Sequence, residues 1–335
     1  MRRYEVQERF GLEHLRIARG PEPALGPGMV RVGMRACSLN YRDLLMIRGH
    51  YDPRLPLPLV PLSDGVGEVL EVGPGVSRLA LGQRVIATFA PTWIAGEPDA
   101  DAVRLTRGGV VPGMLAEQVV LGEQELVTVP AHLTDAEAAT LPCAALTAWS
   151  ALVTYGGIKA GDTVLTLGTG GVSIFALQIA RLLGARVIAT TSCEEKAVRL
   201  RALGASEVLL HPAEPRWGRA VRRLTGGVDH VVEVGGAGTL PESLEAVRPG
   251  GTVSLIGVLS GVREPLTVLP VLMKQVRVQG IFVGHRQGLE ALCRAVELHI
   301  LRPVVDQVFP FTEVPEAFAH LASGRHVGKV CVEIG

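Results

Sequence analysis

Up to about residue 129, short alternating or wholly apolar runs are separated by Gly and Pro, and residues 29–35, 65–72, 83–88 and 115–120 each read as a strand. That pattern predicts a partly open β barrel. Residues 93–112, WIAGEPDADAVRLTRGGVVP, interrupt it as a long polar loop, expected to be a surface excursion near a site rather than a second core. Residues 134–155 read as helical: Thr134 can cap, Asp135 and Glu137 suit the first turn, and apolar residues fill the rest despite Pro142. From residue 164 to about 269 strand and helix alternate, with strands at 164–167, 186–191, 207–210, 230–233 and 252–257, as a doubly wound parallel sheet requires. Residues 277–283, RVQGIFV, could extend that sheet at its edge, and an apolar edge tends to be paired or covered, so a homodimer joined across this strand is expected. Residues 328–334 alternate once more and are expected to return to the first domain. The predicted organisation is a barrel domain over 1–130, an α/β domain over 131–270, and an edge strand with a return segment over 271–335.

Within the α/β region, residues 164–191, VLTLGTGGVSIFALQIARLLGARVIATT, carry the strongest chemical signal. An apolar strand leads into Gly168, Thr169, Gly170, Gly171, Val172 and Ser173, and an apolar helix follows. The glycines allow a tight turn, and the helix amino end offers unpaired N–H groups and a positive dipole to a pyrophosphate. Strand, glycine turn, helix and strand within about thirty residues outline a dinucleotide site. Ser173 stands where a third glycine would pack the helix closely on the strand. At the tip of the second strand an NAD site usually has Asp or Glu for the ribose hydroxyl, whereas this chain has Thr191, Ser192 and then Lys196. Hydroxyl donors and a cation suit a 2′-phosphate, so NADP(H) is the expected cofactor. Glu194 and Glu195 read as first-turn residues of the next helix.

Composition narrows the partners. With 33 basic and 33 acidic residues the formal charge is zero, which gives no electrostatic case for nucleic acid or an anionic membrane. A small-molecule substrate fits better. The amino terminus, MRRYEVQERFGLEHLRIAR, has no apolar core of a signal peptide, so a cytoplasmic protein is expected. Five widely spaced cysteines include no C-x-x-C pair, and support neither a disulfide framework nor a structural zinc lobe.

Six ordered segments carry a family resemblance: CSLNYRDLL at 37–45, LPLVPLSDGVGEVLEVGPGV at 57–76, LPCAALTAWSAL at 141–152, the GTGGVS turn, RVIATTSCEEK at 186–196 and GRHVGKVCVEI at 324–334. Across nearly its whole length the chain resembles the medium-chain dehydrogenase/reductase superfamily, in its zinc-free, quinone-oxidoreductase-like branch. The resemblance implies a GroES-like catalytic domain with a Rossmann domain, and NADP(H) between them. Zinc members hold their catalytic metal with Cys, His and Cys. Here the first position matches Asn40, the histidine position matches Ser63 with Asp64 beside it, and only Cys143 survives. One thiolate cannot hold a catalytic zinc, so no metal is expected and Cys143 reads as a small buried residue.

Hydride addition to a quinone or an α,β-unsaturated carbonyl moves negative charge onto oxygen, where hydrogen-bond donors can stabilise it without a metal. The candidate catalytic groups are Asn40, Tyr41, Arg42, Tyr51 and Ser63, with Asn40 foremost, while Asp43 and Asp64 read as structural partners of nearby Arg or backbone N–H groups. The resemblance also implies cofactor contacts at Asn40, Thr147, Gly235, Gly257, Val258, Phe282, Val283 and Lys329, with His211 and Arg286 toward the phosphates; His285 replaces the Ser that commonly precedes that Arg. His50 and His285 read as loop histidines. The leading expectation is an NADPH-dependent quinone or enone reductase. A metal-free NADP-dependent alcohol or aldehyde dehydrogenase, and an NADPH-binding redox sensor or structural protein without turnover, remain the alternatives.

Overall fold

The computed structural model describes residues 1–335, which form two compact units, Met1–Leu146 with Gly284–Gly335, and Thr147–Val283. In chain order the strands are β1 (Arg2–Val6), β2 (Leu15–Arg19), β3 (Met29–Leu39), β4 (Asp64–Val72), β5 (Arg84–Ala87), β6 (Gln118–Gly122), β7 (Leu126–Thr128), β8 (Thr163–Leu167), β9 (Arg186–Thr191), β10 (Glu207–Leu210), β11 (Val228–Glu233), β12 (Val247–Leu255), β13 (Arg277–Gly280), β14 (Val305–Pro310) and β15 (Lys329–Glu333). The helices are α1 (Tyr41–Ile47), α2 (Ala100–Arg104), α3 (Asp135–Ala139), α4 (Leu146–Trp149), α5 (Gly171–Leu182), α6 (Glu194–Ala202), α7 (Trp217–Thr225), α8 (Leu240–Ala246), α9 (Leu269–Met273), α10 (Arg286–Leu298) and α11 (Val314–Ala322). The expected GroES-like domain and Rossmann-type parallel sheet are both present.

In the first unit, a seven-stranded sheet runs β14-β15-β3-β4-β5-β7 with β6 also on β3. Strand β3 is its hub. Its first half alternates, with Val30, Val32 and Met34 buried, and pairs with β6 and β4; its last four residues are buried on both faces where β15 replaces β6. Ser38 stands opposite Asp64, and Leu39 opposite Val330, which brings the carboxy-terminal segment beside the site. Burial of Val30, Val69, Leu115, Phe318 and Val332 in one cluster holds this arrangement, each large side chain contributing roughly 1.5–3 kcal/mol.

The 93–112 loop departs from expectation. Its first part contains α2, capped by the Asp99 carboxylate on the Ala102 N–H at 2.7 Å. Its second part is no surface excursion: Thr106, Arg107, Gly108 and Gly109 are buried. A Cβ on Gly108 would lie 2.9 Å from the Leu62 backbone, and one on Gly113 only 2.0 Å from the Pro61 carbonyl oxygen, so the loop packs directly on the segment leading into β4.

The second unit is a six-stranded parallel sheet ordered β10-β9-β8-β11-β12-β13. Strands β9 and β10 have the expected bounds, and β13 is the edge strand, four residues long. The order reverses between β8 and β11, which makes the crevice beyond their carboxyl ends the place where such a sheet binds ligands. The expected helix over 134–155 is segmented: α3 is capped reciprocally by Thr134 and Glu137, then wide π-helical turns flank α4, the first of them containing Pro142, which has no N–H to give. The two units divide at residues 146 and 284 rather than near 130 and 270, because α3 packs on β3, β4 and β15 and α10 on β7.

Candidate functional site

The nucleotide features of the second unit gather at the carboxyl ends of β8, β9 and β11. Gly168 has φ +72° and donates its N–H to the Thr190 carbonyl at 2.8 Å, closing the turn after β8. A Cβ on Gly168 or Gly170 would meet nothing within 4 Å, so the turn and the α5 amino end present an open backbone cradle. Thr169 is buried within it, Gly171 and Val172 open the helix, and Ser173 ties helix to strand by donating to the Leu167 carbonyl at 2.6 Å. At the tip of β9, Thr191 is buried, Ser192 is exposed, and Lys196 lies on the first turn of α6, half-buried. No carboxylate ends the strand. Glu194 and Glu195 occupy the first turn of α6. His211 is bonded to this tip, its N–H donating to the Thr191 carbonyl at 3.0 Å, and partial burial lowers its ring pKa, so it offers no steady charge to a phosphate at neutral pH.

Beyond β11, Gly235 and Gly236 are buried and lie against the segment that carries Gly257 and Val258: the Ser260 N–H donates to the Gly235 carbonyl at 2.7 Å. Gly236, Leu240, Leu255 and Val258 help to line a cavity of about 610 Å³ in this unit. Thr147 is buried at the start of the unit; at its end Phe282 is half-buried and Val283 has φ +47°, a strained conformation for a β-branched residue. The open glycine cradle, a helix amino end and the hydroxyl-tipped second strand fit a nicotinamide dinucleotide.

In the first unit, β3, β4, α1 and β15 bring Ser38, Asn40, Ser63, Asp64 and Lys329 into one network. Asp64 is fully buried and accepts from the Asn40 amide at 2.8 Å, the Ser38 hydroxyl at 3.0 Å and the Ser63 hydroxyl at 3.1 Å. The buried Lys329 ammonium donates to the Leu39 carbonyl and the Asn40 Oδ1, each at 2.6 Å, and lies 3.7 Å from Asp64. Burial raises the Asp64 pKa, while Lys329 and the three hydrogen bonds oppose that shift. Asp64 therefore has hydroxyls, an amide and a lysine as partners, not the Arg or backbone N–H expected. Asp43 does take a backbone N–H, from Asn40 at 2.8 Å, and the Arg42 guanidinium at 3.5 Å. Neither Ser38 nor the Lys329 ion pair was legible in the sequence, since both depend on register with β4 and β15.

Arg42 is a brace. It donates to the Arg107 carbonyl at 2.8 Å and the Thr106 hydroxyl at 3.1 Å, and its guanidinium carbon lies 4.7 Å from the Phe89 ring centre and 5.4 Å from that of Tyr51. Arg107, itself buried, donates to the Thr88 carbonyl at 3.1 Å and pairs with Glu125; burial lowers its pKa. Sequence reasoning missed Arg107 because a charge in a polar loop reads as solvated. Tyr41 and Tyr51 are 44% and 46% exposed, and their hydroxyls donate to no protein group. Of the five catalytic candidates, these two phenols keep an exposed uncommitted donor; the Arg42 Nε is also unpartnered but is buried.

His50 is exposed, and His285, half-buried at the end of the loop before α10, caps that helix: its Nδ1 accepts the Gly288 N–H at 2.9 Å. Its ring stands edge-on to Trp93 at 5.7 Å, and burial lowers its pKa. Arg286 donates its backbone N–H to the Trp93 carbonyl at 3.0 Å and its guanidinium to the Gln124 carbonyl at 3.2 Å, both within the first unit.

The zinc-ligand positions do not fit a metal. Asn40 and Ser63 are held by Asp64 and Lys329, Cys143 is a buried thiol whose pKa burial raises, and nowhere do three His, Cys, Asp or Glu gather in a metal-binding group.

Comparison with known proteins agrees with both units. The alcohol dehydrogenase GroES-like domain matches residues 26–131 and the zinc-binding dehydrogenase family matches residues 171–297. A zinc-type alcohol dehydrogenase-like protein of Schizosaccharomyces pombe is 38% identical, with 99% of each chain covered. An acryloyl-coenzyme A reductase of Metallosphaera sedula is 30% identical over 98% of this chain and 95% of its own. The crystal structure of a putative alcohol dehydrogenase from Sinorhizobium meliloti 1021 superimposes with a TM-score of 0.93 at 46% identity, covering 99% of this chain and 98% of that one. With a GroES-like unit, a Rossmann-type sheet that presents a dinucleotide cradle, and relatives matched end to end, the chain is an oxidoreductase of the medium-chain dehydrogenase/reductase superfamily.

Proposed function

We propose that this protein is a cytoplasmic, NADPH-dependent reductase that adds hydride to an α,β-unsaturated carbonyl or a quinone without a metal. The observation that carries the reading is the network of Asn40, Ser63, Asp64 and Lys329, in which Asn40 and Ser63 stand at two of the positions where the resemblance puts zinc ligands. An alkoxide formed in alcohol oxidation benefits from a Lewis acid, whereas charge on a conjugated oxygen can be met by hydrogen-bond donors. The acryloyl-coenzyme A reductase relative, whose name specifies an activated double bond, supports this choice.

Bound NADPH supplies the hydride. The Gly168 to Val172 turn and the α5 amino end would hold its pyrophosphate, and Thr191, Ser192 and Lys196 its 2′-phosphate. Gly235, Gly257, Val258, Phe282 and Val283, with Thr147, would receive the nicotinamide half. Tyr51 would donate to the developing enolate oxygen, with Tyr41 as the second phenol, while Arg42 holds the Tyr51 ring from beneath. Asn40, its amide fully engaged, and Lys329 would hold the buried network together rather than transfer a proton.

The alcohol dehydrogenase names of several relatives favour a second reading, metal-free oxidation of an alcohol with NADP. Rates of NADPH oxidation with an enone and a quinone, and of NADP reduction with a primary alcohol, separate the two after dialysis against a chelator. The reductase reading expects turnover of an electrophile that survives chelation; activity with the alcohol alone, or loss of activity with the metal, refutes it. We also propose a homodimer through the sheet edge, since β13 has no outer partner and Val268, Leu272 and Met273 nearby are 69%, 72% and 73% exposed. Sedimentation at micromolar concentration as a single monomeric species would exclude it.

A further inference from the structure

A buried carboxylate that neither the hydride chemistry nor the cradle uses sits at the end of β11. Glu233 is fully buried and takes four hydrogen bonds, none from a Lys or Arg. Its Oε1 accepts the Gly235 N–H at 2.7 Å, the Gly236 N–H at 3.0 Å and the Thr239 hydroxyl at 2.6 Å, and its Oε2 accepts the Ser243 hydroxyl. One anion thereby pins two consecutive backbone amides and the start of α8. A buried carboxylate is costly to maintain unless its lone pairs are satisfied, and here hydrogen bonds alone do so.

The turn so fixed holds a second segment. The Ile256 N–H donates to the Glu233 carbonyl at 2.8 Å, the Ser260 N–H to the Gly235 carbonyl at 2.7 Å, and the Ala237 N–H to the Gly261 carbonyl at 3.0 Å. The fit leaves no slack: a Cβ on Gly236, which has φ +85°, would lie 2.8 Å from both the Val258 Cα and the Gly261 carbonyl oxygen, and one on Gly257 would lie 2.4 Å from the Val234 carbonyl oxygen. The two backbone stretches assigned to the nicotinamide half, one through Gly235 and one through Gly257 and Val258, therefore share a single anchor.

We propose that Glu233 is the positioning residue for the nicotinamide half of the cofactor site, its carboxylate setting the Gly235–Gly236 turn and, through that turn, the 257–261 segment. The proposal rests on the nicotinamide-cofactor reading given above. It concerns geometry: Glu233 touches no reacting atom and acts only through the loops it holds.

The test compares the full-length protein with Glu233→Gln and with Thr239→Val by titration calorimetry, using NADPH and adenosine 2′,5′-bisphosphate, which occupies only the adenine end. A glutamine keeps the shape but turns an NH₂ group toward donors, so NADPH affinity should fall about tenfold or more while the bisphosphate stays within about twofold. Thr239→Val removes a single donor and should give a smaller loss of the same pattern, which decides the matter if the glutamine variant does not fold. Amide exchange without nucleotide supplies an independent readout: Gly235 and Gly236 should exchange faster in the variants while the interior amides of β11 do not. Equal loss for both nucleotides, or unchanged NADPH affinity with unchanged exchange, overturns the proposal. A wild-type chain that binds neither nucleotide overturns the cofactor reading as well, a failure visible before any substitution is made.

Discussion

Asp43 makes the sharpest claim about pH. Its carboxyl is fully buried beside the Arg42 guanidinium at 3.5 Å and accepts the Asn40 N–H at 2.8 Å. Burial dominates and lifts its pKa from 3.8 to about 6, against the opposing effects of Arg42, the Asn40 N–H and Lys329; the Asp64 charge adds to the rise. At about 1.4 kcal/mol per pH unit, holding the charged form in the native state at neutral pH costs about 3 kcal/mol relative to the unfolded chain. Because the folded pKa lies above the unfolded one, the native state binds the extra proton between these values. Stability from this group is complete below about pH 4 and is lost as pH rises through about 6. Asp43→Asn keeps an acceptor for the Asn40 N–H and is neutral throughout. The variant should match wild type near pH 4 and exceed it by about 3 kcal/mol at pH 7.5. Urea unfolding read by Trp93 fluorescence checks this, in a Trp149→Phe, Trp217→Phe background, because Trp93 is the buried tryptophan of the first unit. A stability difference that does not change with pH, or that grows in favour of wild type as pH rises, is incompatible with a raised Asp43 pKa.

Other substitutions separate folding from function. Gly170 has φ −69°, and open space lies where a Cβ would project, so Gly170→Val should fold within about 0.5 kcal/mol of wild type and yet lose NADPH affinity by about tenfold or more, measured by calorimetry. Lys329→Met strands the buried Asp64 and should cost about 3–5 kcal/mol in urea unfolding, much of it recovered when Asp64→Asn is added; additive losses would deny the pair. Burial raises the pKa of all four buried thiols, Cys293 and Cys331 to about 12, and leaves Cys193 the accessible one, so a disulfide reagent at pH 8 should titrate one thiol in the native protein and all five after denaturation.

Local patterns carried much of the fold. Strands β9 and β10 fall where apolar runs between turn signals put them, because each is a short segment within one βαβ repeat. The end of β3 is not legible: residues 36–39 are buried on both faces only because β15, some 290 positions later, pairs there. The 93–112 loop was misread for a related reason. Arg107 looks like a solvated charge until Glu125 and the Thr88 carbonyl close around it, and Gly108 and Gly113 look like flexible punctuation until the 60–62 backbone fills the space beside them.

The same limit bears on chemistry. Residue type and family position single out Asn40, but a sequence does not say which of its polar atoms are already taken. Lys329 occupies the Oδ1, and Asp64 with Ser63 the Nδ2, so the amide cannot turn to a substrate without abandoning a buried carboxylate and a buried ammonium. Breaking such a charge-assisted hydrogen bond costs roughly 1.5–3 kcal/mol, and an oxyanion donor gains its effect by being preorganised, with no such cost at the moment of reaction. The donor role therefore passes to a group whose bonding capacity is unspent. Tyr51 meets that condition: its ring rests on the Arg42 guanidinium while its hydroxyl stays open. Tyr51→Phe should then lower kcat for enone reduction by about a hundredfold or more and leave the NADPH dissociation constant unchanged. Asn40→Ala would show the opposite emphasis, a loss of stability in the first unit through the stranded Asp64 and Lys329. A Tyr51→Phe enzyme with wild-type kcat would return the donor role to Tyr41 or to solvent.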